Sequence, residues 1–228
     1  MLKGDLKKQA ILDTADRLFF EKGYTATTID DILASLGCSK GSLYHHFESK
    51  QQILRELCVN RTAMAFAAYR ELQGQSTLDA FNSLIYFGLP VRSGEERFLS
   101  MLIPLVGSLD GSLMIYAINE AQEKQFKPEI TRLLLALREE KLAYWRLDGI
   151  PSLVWDTYTA VYGRLLDFAD KLGKGACQPA EILSILDSAR FLWERVLDVP
   201  FGSIEIIRAE EALNTINQAL KHNRYLHG

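Results

Sequence analysis

Residues 25–53, TATTIDDILASLGCSKGSLYHHFESKQQI, constrain the fold more than any other part of the chain. Two short helical patterns flank Gly37, and a long helical run begins just after them. Ile29, Ile32, Leu33 and Leu36 recur at helical spacing and form one buried stripe. Gly37 ends that helix and permits a tight turn, beneath which Cys38 can act as a small hydrophobe. Ser39 then caps a very short third helix, with Leu43 and Phe47, four apart, facing inward. A bracing helix, a tight turn and a second helix with a polar N-terminal face are what a helix-turn-helix reader of the major groove requires.

The chemistry of the outward residues fits that task. With Leu43 and Phe47 turned in, Lys40, Gly41, Ser42, Tyr44 and His45 are left near the groove side. Lys40 can meet a phosphate or a guanine edge. Gly41 removes a side chain where backbone approaches DNA closely. Tyr44 can donate to a phosphate or pack on a thymine methyl. Thr27 and Thr28 stand at a helix N-terminus, where hydroxyl and backbone N–H can hold phosphate, and either can cap the helix. Lys50 opens the next helix and can play the same part. His45 and His46 are adjacent, so their side chains diverge by about 100° and cannot easily share a metal.

The string T-T-I-D-D-I-x(4)-G-C-S-K-G-S-L-Y-H-H-F-E-S-K, in residues 27–50, resembles the N-terminal domain of the tetracycline-repressor-type (TetR) transcriptional regulators, and the likeness covers about residues 8–57. The resemblance implies an all-α homodimer with an N-terminal three-helix DNA-binding domain and a larger C-terminal domain for ligand binding and dimerisation. Carried over by position, the DNA contacts fall on Thr27, Thr28, Ser39, Lys40, Gly41, Tyr44, His45 and Lys50. Leu33, Leu36 and Cys38 replace smaller or branched apolar residues common in the family. Asp30 stands where a basic or polar residue is common, which argues against a phosphate contact there.

The remainder reads as helix throughout. A first helix covers residues 5–22. A fourth, opened by the capping pair Ser49 and Gln52, runs to about Leu72. Later helices are expected at 77–91, 95–109, 113–125, 128–147, 153–172, 179–197 and 203–223, with Pro128 and Pro179 in first turns, where proline is tolerated. The expected organisation is a DNA-binding domain over residues 1–48 and an effector-binding and dimerisation domain over 49–228. Aromatic residues of the second part recur at helical spacings. Singly each reads as core; together they could line an apolar cavity. The candidate ligand residues are Phe81, Met101, Tyr116, Tyr158 and Tyr162. Apolar stripes at Ile182–Val196 and Ile206–Leu220 suggest the dimer contact.

Composition narrows the function classes. With 48% hydrophobic residues the chain is not disordered, and a net charge of −3 argues against bulk coating of nucleic acid. A small basic surface remains compatible, built from Lys3, Lys7, Lys8, Lys40 and Lys50. Three scattered cysteines suit reduced thiols in a cytoplasmic setting. No apolar run approaches the length of a membrane span. No paired carboxylates, nucleophile–base pair, cofactor motif or metal set emerges, which argues against an enzyme. The expected partners are double-stranded DNA, a second copy of the chain and an unidentified small-molecule effector, with no membrane. The expected function is a ligand-responsive regulator, a repressor by family default, released from a palindromic operator by a small apolar or aromatic effector. The alternative is a DNA-binding dimer whose C-terminal half is a scaffold or a protein-binding module.

Overall fold

The computed structural model describes residues 3–72 and 74–227, and its regular elements among these residues are helical. Three helices form the N-terminal head: α1 (Lys3–Lys22), α2 (Ile29–Leu36) and α3 (Lys40–Tyr44). Their shared core is Ile11, Leu12, Ala15, Phe19, Ile32, Leu43 and Phe47, all essentially inaccessible. Gly37 takes φ +60°, and its N–H returns to the carbonyl of Leu33, so the α2–α3 turn closes as the sequence implies.

From the head, α4 (Lys50–Arg70) runs into the body. Its 21 residues span about 32 Å at 1.5 Å per residue. Ser49 caps it through the backbone N–H of Gln52. Ile53, Leu54 and Cys58 continue the core beyond the head. The body adds α5 (Thr77–Gly88), α6 (Glu96–Leu102), α7 (Leu109–Glu139), α8 (Ile150–Gly173), α9 (Glu181–Leu197) and α10 (Ala209–His227). A single 3-10 turn at Ile103–Leu105 follows α6, where Pro104 interrupts the apolar run.

Two expectations about the body are corrected. Residues 113–125 and 128–147 are not two helices; α7 passes through Pro128 without a break and ends at Glu139. Pro128 lies on the exposed face, so the carbonyl that loses its amide partner faces water. Phe126, Ile130, Leu133, Leu134 and Leu137 keep one continuous buried stripe across it. The last helix starts at Ala209 rather than 203, because 203–208 has no regular secondary structure. There Ile204 and Ile206 are buried while Glu205 is exposed, the alternation of an extended segment.

The late stripes are corrected as well. Ile182, Ile185, Leu186, Ala189 and Trp193 of α9 are buried within this chain, as are Ile216 and Leu220 of α10. They hold the protomer's own core. The open face of α9 instead carries Leu183, Ser184, Asp187, Ser188, Phe191 and Arg195, beside Leu153, Asp156, Ala160 and Arg164 of α8.

Candidate nucleic-acid interface

The reading edge is assembled by caps. Ser39 accepts the N–H of Ser42 and so fixes the first turn of α3. Leu43 and Phe47 anchor that helix underneath. Ser39, Lys40, Gly41, Tyr44 and His45 are consequently exposed and Ser42 half-buried, all within about two helical turns. Tyr44 is 45% exposed despite its ring. An exposed aromatic beside a lysine, on a helix braced from below, has the composition of a surface that contacts a partner. A Cβ added at Gly41 would meet nothing within 4 Å, so nothing within the protein demands a glycine there.

Charge is arranged differently from the sequence expectation. Lys8, Lys40 and Lys50 are each engaged within the protein rather than joined in one basic patch. Lys8 pairs with Glu56 of α4. Lys40 lies 3.7 Å from Asp30, with both side chains largely in solvent. The side chain of Lys3 lies outside the described residues. Residues 1–48 hold six lysines and arginines against seven aspartates and glutamates, so the head offers little net attraction to a polyanion. The Lys40–Asp30 pair is worth only about 0–1 kcal/mol in water, so a phosphate can displace it readily.

Two predicted contact residues are corrected to framework residues. Thr27 is fully buried; its hydroxyl donates to the carbonyls of Gly23 at 2.8 Å and Leu18 at 3.2 Å, tying off the end of α1. Lys50 reaches back from α4 to the carbonyls of Tyr24 and Thr27, each at 2.8 Å, and sits 4.2 Å from the centre of the Tyr24 ring. Burial pulls its ammonium below the usual lysine range, while Asp110 opposes that shift. Its donors therefore hold the loop before α2, and they reach DNA only if those contacts break.

Thr28 is exposed and caps α2, but its donors are already engaged. Its N–H and its hydroxyl both donate to Asp31 at 2.7 Å, while the hydroxyl oxygen accepts the N–H of Asp31. Lys22 completes the site at 2.7 Å from Asp31. The Lys22 contact, then the bonds from Thr28, hold the Asp31 carboxyl far below the ordinary carboxylate range.

Contacts between head and body escaped the sequence reading. Arg97 of α6 pairs with Asp16 of α1 at 2.6 Å and lies 4.6 Å from the Phe20 ring centre. His222 of α10 stacks on the same ring at 3.8 Å and contacts the Phe20 carbonyl at 2.7 Å. Arg55 of α4 meets Glu120 of α7 at 2.6 Å. These residues stand 65 to 202 positions apart, so no local pattern signals them.

The candidate ligand residues of the body do not form one open site. Phe81, Met101, Tyr158 and Tyr162 are buried, whereas Tyr116 is 67% exposed and lines nothing with them. The Tyr158 hydroxyl accepts from Gln122 at 3.1 Å, and Gln122 also donates to the Gly88 carbonyl at 2.9 Å. Burial pushes the Tyr158 and Tyr162 phenols well above their ordinary range. Beside Tyr162 lies a void of about 20 Å³, the size of one water. The aromatic interior is packed.

Comparison with known proteins fits the geometry. The family model described as bacterial regulatory proteins, tetR family, matches residues 11–57. The HTH-type transcriptional repressor KstR2 of Rhodococcus jostii is 38% identical over 85 residues, 35% of this chain and 42% of that protein. The biofilm operon icaADBC HTH-type negative transcriptional regulator IcaR of Staphylococcus aureus (strain Newman) is 51% identical over 101 residues, 43% of this chain and 53% of that protein. The chain thus spans about half the length of these curated relatives. A crystal structure of a TetR-family transcriptional regulator from Pectobacterium atrosepticum superposes with a TM-score of 0.58 at 15% identity, covering 88% of this chain and all of that one. These likenesses support a TetR-family regulator, with the family match itself resting on residues 11–57.

Proposed function

We propose that this chain is a homodimeric transcriptional repressor that reads a palindromic operator with the exposed edge of α3. The observation that carries the reading is the capped α2–Gly37–α3 unit, which leaves Ser39, Lys40, Gly41, Tyr44 and His45 in solvent above a closed core. Two such edges must sit about 34–36 Å apart to enter successive major grooves. The open face of α8 and α9, with Leu153 and Phe191 exposed, supports dimerisation there. Repression follows the relatives, both of which are named as negative regulators or repressors. Among the described residues no helix is long and apolar enough to cross a membrane. That agrees with a cytoplasmic regulator.

Base edges would be read by Lys40 and Tyr44, with Ser39 and the first N–H groups of α3 placing the phosphate. Release by a small effector belongs to this reading, but the packed surroundings of Phe81, Met101, Tyr158 and Tyr162 disfavour an apolar ligand inserted among them. On that observation the competing reading, a C-terminal scaffold without a ligand, is favoured for the aromatic interior. Selection of binding sites from random duplex DNA with the purified chain tests the proposal. Recovery of a palindrome with half-sites one turn apart supports it; recovery of no sequence at modest salt removes it.

A further inference from the structure

Phe20 belongs to the head but stands outside its core. Its neighbour Phe19 is buried there; one residue turns a helix by about 100°, so the Phe20 ring leaves α1 on another side and is half-buried. Two body helices meet it. The His222 ring of α10 stacks on it, 3.8 Å between centres and 5° from parallel. The Arg97 guanidinium of α6 lies 4.6 Å from its centre and pairs with Asp16, one turn earlier on α1, at 2.6 Å. His222 Nε2 also lies 2.7 Å from the Phe20 carbonyl. A carbonyl can only accept, so Nε2 carries the proton and donates. Phe20 is in the last turn of α1, where carbonyls lack an intrahelical donor, and this bond satisfies one that the helix leaves open.

These contacts hold the head where its other ties do not. Lys8–Glu56 and the reach of Lys50 to the carbonyls of Tyr24 and Thr27 join the head to α4, so the head and the start of α4 form one piece. Arg55–Glu120 ties that piece to α7, but it is partly in solvent, where an ion pair holds weakly. Arg97–Asp16 by itself would hold no better. The Phe20 ring adds stacking and cation–π contact on the same spot, and α6 and α10 pack on each other, so both ties share one base. Phe20 also lies three residues before Gly23, whose carbonyl Thr27 holds, at the loop that leads into α2. A displacement at Phe20 is therefore handed to α2 and α3.

Such a hold matters for a dimer that reads two grooves. One base pair more or less between half-sites moves the second by about 3.4 Å and turns it by about 35°. A head that swings can follow that change; a held head cannot. We propose that Arg97 and His222 are positioning residues that fix the head on the body through Asp16 and Phe20, and thereby restrict the operator to one half-site spacing. The spacing half of the proposal rests on the operator reading above. Neither residue lies on the α3 edge, so changing them should leave the half-site sequence as it is.

The test uses the full-length chain, a duplex with the selected half-sites, and copies with one base pair added or removed at the centre. The parent should bind the altered spacings about 10-fold or more weaker, because the second head then meets the wrong base edges. His222→Ala combined with Arg97→Gln should cut that penalty to about 3-fold or less. Ala212, Ile216, Ala219 and Leu220 are buried and keep α10 in place, so melting should stay close to the parent's. Should the double variant lose its fold, His222→Ala alone carries the same test, with a smaller penalty than the parent's expected. A second measurement needs no DNA. Spin labels at the exposed positions Glu48 in the head and Glu139 in the body, on chains diluted with unlabelled ones, should give a narrow distance distribution in the parent and a wider one in the variant. A variant that keeps both the spacing penalty and the narrow distribution overturns the proposal. A parent indifferent to spacing, or a wider distribution with an unchanged penalty, overturns the role in operator choice. If neither chain binds a duplex while the variant's distribution widens, the operator reading fails and the hold on the head stands.

Discussion

Tyr44 and Tyr158 carry the same phenol in two regions of one chain. Tyr44, on α3, is half in solvent above a closed core. Tyr158, on α8, is fully buried, its hydroxyl accepting from Gln122. Gly41 and Gly88 repeat the contrast. A side chain at 41 would meet nothing within 4 Å, whereas one at 88 would lie 1.9 Å from the Tyr158 hydroxyl and 2.9 Å from the Phe126 ring. In the head, polar and small residues sit where a partner can touch them. In the body, the same residue types fill space. Aromatic richness alone therefore does not mark a ligand site.

The largest effect expected is on the head's core. Phe47→Ala should destabilise the head by about 3–5 kcal/mol, read by chemical denaturation, because the ring is fully enclosed. Equal melting of variant and parent would show that α3 is not anchored from below. Gly88→Ala should cost about 1–3 kcal/mol through overpacking against Tyr158 and Phe126. The matching change Gly41→Ala should leave melting unchanged or raise it by up to about 1 kcal/mol, since glycine is a poor helix former. It should nonetheless weaken operator binding, and a Gly41→Ala chain that binds normally would place the DNA backbone away from α3.

Smaller effects concern caps and charge. Thr28→Ala should lower stability by about 1 kcal/mol through loss of the α2 cap. Asp31 has its carboxyl pKa depressed in the fold, so its contribution is present above about pH 4 and is lost as pH falls further. Asp31→Asn should therefore flatten the acid limb of a pH–melting profile; an unchanged limb would remove the Lys22–Asp31–Thr28 site from the stability of the head. Because Lys8 and Lys50 are engaged within the protein, log affinity against log salt should be shallow, with a slope of about −2 to −4 for a dimer making two to four cationic phosphate contacts. A slope near −8 would mean a basic surface is assembled on DNA.

The head was legible because its signals are local. Gly37, Ser39 and the Leu43–Phe47 spacing each act within one turn, and they place the reading edge without knowledge of the body. Thr27 and Thr28 show where that resolution ends. They are neighbours of the same type, and only packing against Leu18 and Gly23 makes one buried and the other a cap. The engagement of Lys50 was not legible because its partners are carbonyls 23 to 26 residues away. In the body, Pro128 reads as a helix start, yet the buried stripe from Phe126 to Leu137 holds the helix together across it. Residues 203–208 alternate like a strand, a period-2 signal overlooked inside an otherwise helical pattern.

The central claim is that the α3 edge touches DNA, and the affinity of Tyr44→Ala for the selected duplex, measured beside its thermal melting, addresses it most directly. The expected result is a loss of about 10-fold or more in affinity, as for removal of a base-reading contact, with melting within about 0.5 kcal/mol of the parent. An unchanged affinity in a dimer that still binds the duplex would contradict it and move the reading surface off α3.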